Sequence, residues 1–201
     1  MARSRKALLF SLLMILLLPL APAPAGAVDE FIEINPFIKK IPLAIPDFKP
    51  LAAGPESQET ADEAAQLLAD TLQFTGYFNI LDKGAYLEDP RESGISEAGI
   101  NFRSWTVIGA ELLITGGVRR TPDAVEMELR LFDTFKAQSV IGKRYRGNPK
   151  DLRRIVRRFA GEVIFFLTGT QGFFNSEIAF VSTQTGNKEI YICEFDGHNP
   201  V

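Results

Sequence analysis

Side chains that carry most enzyme chemistry are scarce in this chain. Its 201 residues hold one cysteine, Cys193, and one histidine, His198. A single cysteine excludes an internal disulfide, so the fold must rest on a packed core, which a 46% hydrophobic composition can supply. One His and one Cys exclude a zinc-type cluster of nitrogen and sulfur ligands. There is no Gly-x-Ser-x-Gly nucleophile elbow. The Gly116-Gly117 pair stands between strand-like residues and not ahead of a helix, so it reads as a bulge or turn and not as a phosphate cradle. No apolar run reaches the roughly 20 residues that a spanning helix needs. No catalytic residue, cofactor site or metal site is assigned. Cys193 reads as a half-buried strand residue, and Trp105, the sole tryptophan, as a core anchor.

The longest apolar run is residues 7–18, broken only by Ser11. It follows a cationic start (Arg3, Arg5, Lys6) and leads into a small, proline-rich stretch ending Ala25-Gly26-Ala27. That order is a secretory signal peptide, with cleavage expected after Ala27. Pro19, Pro22 and Pro24 prevent the run from extending into a membrane anchor. Removing the signal takes three cations and no acid, moving the net charge from −3 to −6. An exported acidic chain is a poor candidate for nucleic-acid binding.

Residues 28–34 interleave apolar and acidic side chains before Asn35-Pro36. The pattern fits an edge strand and a tail free to pair elsewhere equally well. Residues 40–48 alternate as a strand whose prolines confine it to an edge or to strand ends. Residues 57–75 read as a helix. Thr60 with Glu63 forms a capping box, Ser57 is an alternative cap, Ala61, Ala64, Leu68 and Leu72 form the apolar stripe, and Gly76 is a stop. A short strand at 77–81 completes a β-α-β start. Residues 82–102 are irregular, and a short helix at 102–109 carries Trp105. Strands at 111–119, 124–134 and 138–146 make an antiparallel meander, with Glu126 and Glu128 on the solvent face of the second. Asn148 and Pro149 open a second long helix, striped by Leu152, Ile155, Val156, Phe159, Val163 and Phe166 and ended by Gly169. The expected domain, residues 40–172, is α/β (α+β): a mixed sheet of about five strands with two long helices on one face. Residues 177–183 and 189–195 are two further strands. They are followed by an Asp-Gly turn that resembles the opening of a β-propeller blade.

Eight cations crowd the end of the meander and the start of the second long helix: Lys143, Arg144, Arg146, Lys150, Arg153, Arg154, Arg157 and Arg158. They read as a solvated face. The alternative is a site for an acidic partner or an anionic lipid surface.

In order and spacing the chain resembles the TolB family of the Tol–Pal envelope system. The anchors are KIPLAIPDF at 40–48, ADTLQFTGYFNILD at 69–82, Trp105 with Gly109-Ala110-Glu111, and ELRLFD at 128–133. LTG at 167–169 continues to GFFNSEIAFVS, ending at Ser182, and KEIY and DGHNP close the series. The family's Ala-His in the second long helix is replaced here by Arg157-Arg158-Phe159-Ala160, which reads as a surface difference. The resemblance implies a non-enzymatic periplasmic adaptor without cofactors, acting in outer-membrane integrity and in constriction during cell division. It implies an α/β domain followed by a six-bladed β-propeller, of which residues 173–201 would be the start. It further implies that Pal binds the propeller and that TolA binds the mature N-terminus (28–39). Within that segment the binding residues would be Val28, Asp29, Glu30, Phe31, Ile32, Glu33 and Ile34. An acidic, apolar stretch of this kind suits strand addition to a sheet edge. The alternative function is the N-terminal part of an exported, propeller-containing serine hydrolase. A Gly-x-Ser-x-Gly segment beyond Val201 would favour it.

Overall fold

The structure, a computed structural model, describes residues 39–90, 92–174 and 176–201. The expected signal peptide and the segment 28–34 lie outside the described residues. Residues 39–201 form one compact unit.

The first strand, β1 (Ile41–Ala44), and a two-residue strand, β2 (Lys49–Pro50), both run parallel to β4 (Leu112–Arg120), along the same side of it. The strand expected over 40–48 is therefore cut to its first half, and β2 begins just beyond its expected end. Ile45–Phe48 leaves the ladder between them, because Pro46 has no N–H to donate to a neighbour. Phe48 is nonetheless fully buried. Helix α1 (Pro55–Phe74) follows, and then β3 (Phe78–Ile80), which pairs parallel with β1. Beyond β4 come β5 (Val125–Asp133) and β6 (Gln138–Gly147), both antiparallel to their predecessors. The sheet is mixed, with order β3-β1-β4-β5-β6 and β2 beside β4. That makes six strands against the five or so expected; β2 was too short to stand out in the sequence.

Helix α1 starts two residues earlier than its periodicity suggested. Gly54 is its N-cap with a φ of 123°, and Pro55 takes the first turn, where its fixed φ suits a helix. The expected capping box does not form. Thr60 Oγ1 instead donates back to the Glu56 carbonyl at 2.7 Å, and Ser57 Oγ exchanges hydrogen bonds with the Arg120 backbone. At the other end Gly76 adopts a φ of 77°, as a stop residue should. The second long helix, α3 (Leu152–Thr168), is preceded by a 3-10 turn at Pro149–Asp151 and ends at Gly169 in the left-handed region. The Asn148 N–H donates to Asp151 Oδ2 at 2.8 Å.

Both long helices pack on one face of the sheet. Ala61, Ala64, Leu68 and Leu72 from α1 meet Leu43, Ile114, Leu129 and Leu131 from the strands, and Ile155, Val156, Phe159 and Val163 complete the layer from α3. One member of the expected stripe does not join: Phe166 is 50% exposed, and Ile164 is buried instead. The opposite face is covered near β1 and the start of β4 by a smaller cluster. There α2 (Phe102–Val107) contributes Phe102 and Trp105, which pack with Ala44, Leu113 and Phe132. Trp105 is 1% exposed and donates to Glu88 Oε2 at 2.6 Å, an anchor as expected.

Gly116-Gly117 is neither a bulge nor a turn. Both residues keep the regular β4–β5 register, opposite Leu129 and Glu128. They are glycine because neighbours lie directly on the backbone. A Cβ on Gly116 would come within 2.8 Å of the Phe48 ring, and one on Gly117 within 2.8 Å of Leu51.

The last two strands, β7 (Glu177–Ser182) and β8 (Glu189–Glu194), form a separate antiparallel pair. Ile178, Phe180, Tyr191 and Cys193 share one face, while Ala179, Val181, Ile190 and Ile192 share the other. Cys193 is buried. Val201 exchanges two backbone hydrogen bonds with Ile192, so the chain returns alongside β8 after the Asp-Gly turn.

Candidate functional site

The expected TolA-binding residues, 28–34, lie outside the described residues. What the structure does resolve is the basic cluster, which separates into three environments.

On β6, alternate cations point to opposite faces. Arg144 meets Glu128 at 2.9 Å and Arg146 meets Glu126 at 3.5 Å on the face away from the long helices. Lys143 points to the helical face and meets Glu162 at 3.6 Å. Glu128 also accepts from Arg130. Burial alone would raise the Glu128 carboxyl, but the hydrogen bonds and charges of Arg130 and Arg144 outweigh it and hold it below its ordinary value.

On the outer side of α3 the cations are solvated. Arg154 is exposed and pairs within its own helix end with Asp151 at 3.0 Å. Arg158 is exposed and has no carboxylate partner among the described residues. These positions fit the solvated-face reading.

Arg157 does not. It is 8% exposed, and it reaches from α3 to the end of β8. Its Nη2 donates to Asp196 Oδ2 at 2.7 Å and also pairs with Glu194. Arg153 adds a second contact to Asp196 at 3.3 Å. The Arg157 guanidinium lies over the Phe195 ring, 5.0 Å from its centroid. Phe195 in turn packs edge-on to Phe74, Phe173 and Phe174, with centroids 5.4–5.8 Å apart. The β7–β8 pair is thus clasped to α3 by a charged centre seated on an aromatic floor.

The titration of the clasp follows from this geometry. For Asp196, burial works against ionisation, but Arg157 and the His198 N–H prevail and lower its pKa. Glu194 is lowered chiefly by its hydrogen bond to Arg157. Burial would weaken the Arg157 charge, but its two carboxylate partners more than restore it. The substitution at 157–160, read from sequence as a surface difference, is therefore mostly interior: Phe159 and Ala160 are core and Arg157 is the clasp. Residue spacing along α3 carried a signal for this, since position 157 falls beside the buried stripe, but its acidic partners are about forty residues away in sequence.

A cleft of about 480 Å³ opens beside the clasp, lined by Arg154, Arg158, Glu162, Phe165, Gln171 and Gly172 among others. Among the described residues no three His, Cys, Asp or Glu side chains gather as a metal site. No described helix is long and apolar enough to cross a membrane. His198 is exposed in the final turn, with Nδ1 at 3.2 Å from Asp196 Oδ1.

The fold and sequence have clear relatives. A family model described as the TolB amino-terminal domain matches residues 32–140. The Tol-Pal system protein TolB of Desulfosudis oleivorans is 50% identical over 191 residues, which is 94% of this chain and 44% of that protein. The proteins of the same name from Syntrophotalea carbinolica and Geobacter sulfurreducens are 35% and 33% identical, covering 92% and 94% of this chain and 43% of each relative. This chain thus spans less than half the length of these curated relatives. A crystal structure of TolB from Acinetobacter baumannii shares the fold, with a TM-score of 0.64 over 81% of this chain and 38% of that one, at 21% identity. On the strength of the matched domain and of these relatives, the chain belongs to the TolB family.

Proposed function

We propose that this chain is the N-terminal part of a non-catalytic periplasmic adaptor of the Tol–Pal envelope system. In this reading residues 1–27 direct export and are removed after Ala27. Residues 28–39 engage TolA, with Val28, Asp29, Glu30, Phe31, Ile32, Glu33 and Ile34 as the contacting stretch. Residues 40–172 are the α/β domain, and residues 173–201 open a six-bladed propeller that binds Pal. The adaptor couples an inner-membrane partner to outer-membrane integrity and constriction at division.

The observation that carries the reading is the agreement, over nearly the whole chain, with proteins named for the Tol-Pal system. Two features of the structure support its finer parts. The β7–β8 pair is apolar on both faces, as a strand pair stacked between neighbouring sheets must be. The chain also returns beside β8 at Val201, as a meandering blade requires.

Calorimetry of the mature protein against the soluble part of TolA tests the central claim. Binding is expected, and a peptide of residues 28–39 is expected to compete for it. A mature protein that gives no heat and no competition with TolA would overturn the assignment of residues 28–34.

A further inference from the structure

The outer edge of β6 has no strand partner among the described residues. It is ten residues long, which makes it the longest strand of the sheet. Long open edges invite pairing with another chain unless something blunts them. A register shift opposite Leu131 and Phe132 makes Val140 the extra residue of a bulge, so the regular edge runs over residues 141–147.

What lies beside this edge is specific. On the helical face, a groove of about 540 Å³ runs between β6 and the C-terminal half of α3. It is lined by Val140, Ile141, Lys143, Glu162, Phe165 and Phe166. Phe165 and Phe166 are 52% and 50% exposed, although the apolar period of α3 points Phe166 toward the core side. Both line the groove beside the β6 residues 140–143. On the opposite face, Arg144 and Arg146 stand with side chains 79% and 75% exposed. Each has a carboxylate neighbour on β5, and each is exposed enough to take a second one.

We propose that the β6 edge is a docking site for an extended segment of a partner protein in which apolar and acidic residues alternate. The added strand pairs its backbone with residues 141–147. Its apolar side chains enter the groove against Ile141, Phe165 and Phe166, and its acidic side chains lie beside Arg144 and Arg146. Period-two alternation delivers the two chemistries to the two faces. Pairing of two copies edge to edge is disfavoured, because it would set Lys143, Arg144 and Arg146 against their own equivalents.

The test uses the intact protein and, as probe, an acetylated and amidated nonapeptide of alternating Glu and Val. Hydrogen exchange is followed residue by residue with and without peptide. At saturating peptide, outward amides in 141–147 are expected to slow by about tenfold or more. N-methylation of alternate peptide amides is expected to abolish this, because it removes the ladder donors. The double variant Arg144→Gln with Arg146→Gln, and separately Phe166→Ser, are expected to weaken binding by about tenfold each. All three positions are exposed, so the variants should fold, and unchanged circular dichroism would verify it. Three results would overturn the proposal. They are absence of β6 protection at saturating peptide, equal protection by a Lys-Val peptide, and β6 protection that rises with protein concentration alone alongside a sedimenting dimer.

Discussion

Two single residues decide more than their surroundings suggest. Arg157 joins elements that are remote in sequence, and among the described residues it alone touches Asp196, Glu194 and the Phe195 face together. Replacing it with Ala leaves two partly buried carboxylates without their cation. Because both keep some solvent, the cost should be about 1–3 kcal/mol, below the range for fully buried pairs. Urea unfolding measures the total, and amide exchange should show the loss concentrated in β7–β8 and the turn after it. The clasp also sets a pH dependence. Asp196 and Glu194 have pKa values lowered by folding, so their contribution is complete above the unfolded carboxylate range. It is lost as pH falls through their folded values, below about pH 4. Exchange in β7–β8 should therefore accelerate below that pH, and Asp196→Asn should weaken the response. Gly116 is the second residue. Gly116→Ala places a methyl group within 2.8 Å of the Phe48 ring and should cost about 1–3 kcal/mol by overpacking. Its cost should shrink in a Phe48→Leu background if the ring is the obstacle, which a double-mutant cycle reads directly.

Among the elements, α3 shows how position in the sheet overrides periodicity. Its stripe is regular from Leu152 to Val163 and buried throughout. Phe166 continues the period but lines the groove beside β6, where no described strand covers it. Phe159→Ala should cost about 3–5 kcal/mol, as expected for a filled core site. Phe166→Ser should stay within about 0.5 kcal/mol of the parent. Thermal unfolding of both distinguishes a core role from an exposed one. The prolines in and around β1 and β2 act at the same scale. They end the expected strand after Ala44, set a second short parallel segment beyond it, and bring Phe48 against Gly116.

At the scale of the whole molecule, the helical face of the α/β layer is a packed core, whereas the β7–β8 pair keeps apolar side chains exposed on both faces. Val181 and Ile190 on one face are largely exposed, and Ile192 beside them and Ile178 and Phe180 on the other face are each about two-fifths to one-half exposed. Apolar area of this kind is unusual on a monomer without a binding role. A protein limited to residues 39–201 should self-associate as concentration rises, as measured by sedimentation velocity. The pair Val181→Thr and Ile190→Thr should reduce that tendency without lowering the stability of the α/β layer.

The amino-acid sequence by itself determined the elements. Helical spacing marked α1 and α3, strict alternation marked β5, glycines marked the helix ends, and the order of motifs indicated the family. These are local signals, set by backbone geometry and by the faces that side chains present. Only the tertiary structure decided which charges are bound and which are free. Arg154, Arg157 and Arg158 look alike in sequence, yet one pairs within its helix end, one is buried against β8, and one is solvated. It likewise decided why Gly116 and Gly117 are glycine, and that the β6 edge beside Phe165 and Phe166 has no strand partner among the described residues. Each of these depends on which distant segment comes to lie beside a residue, and no local pattern encodes that.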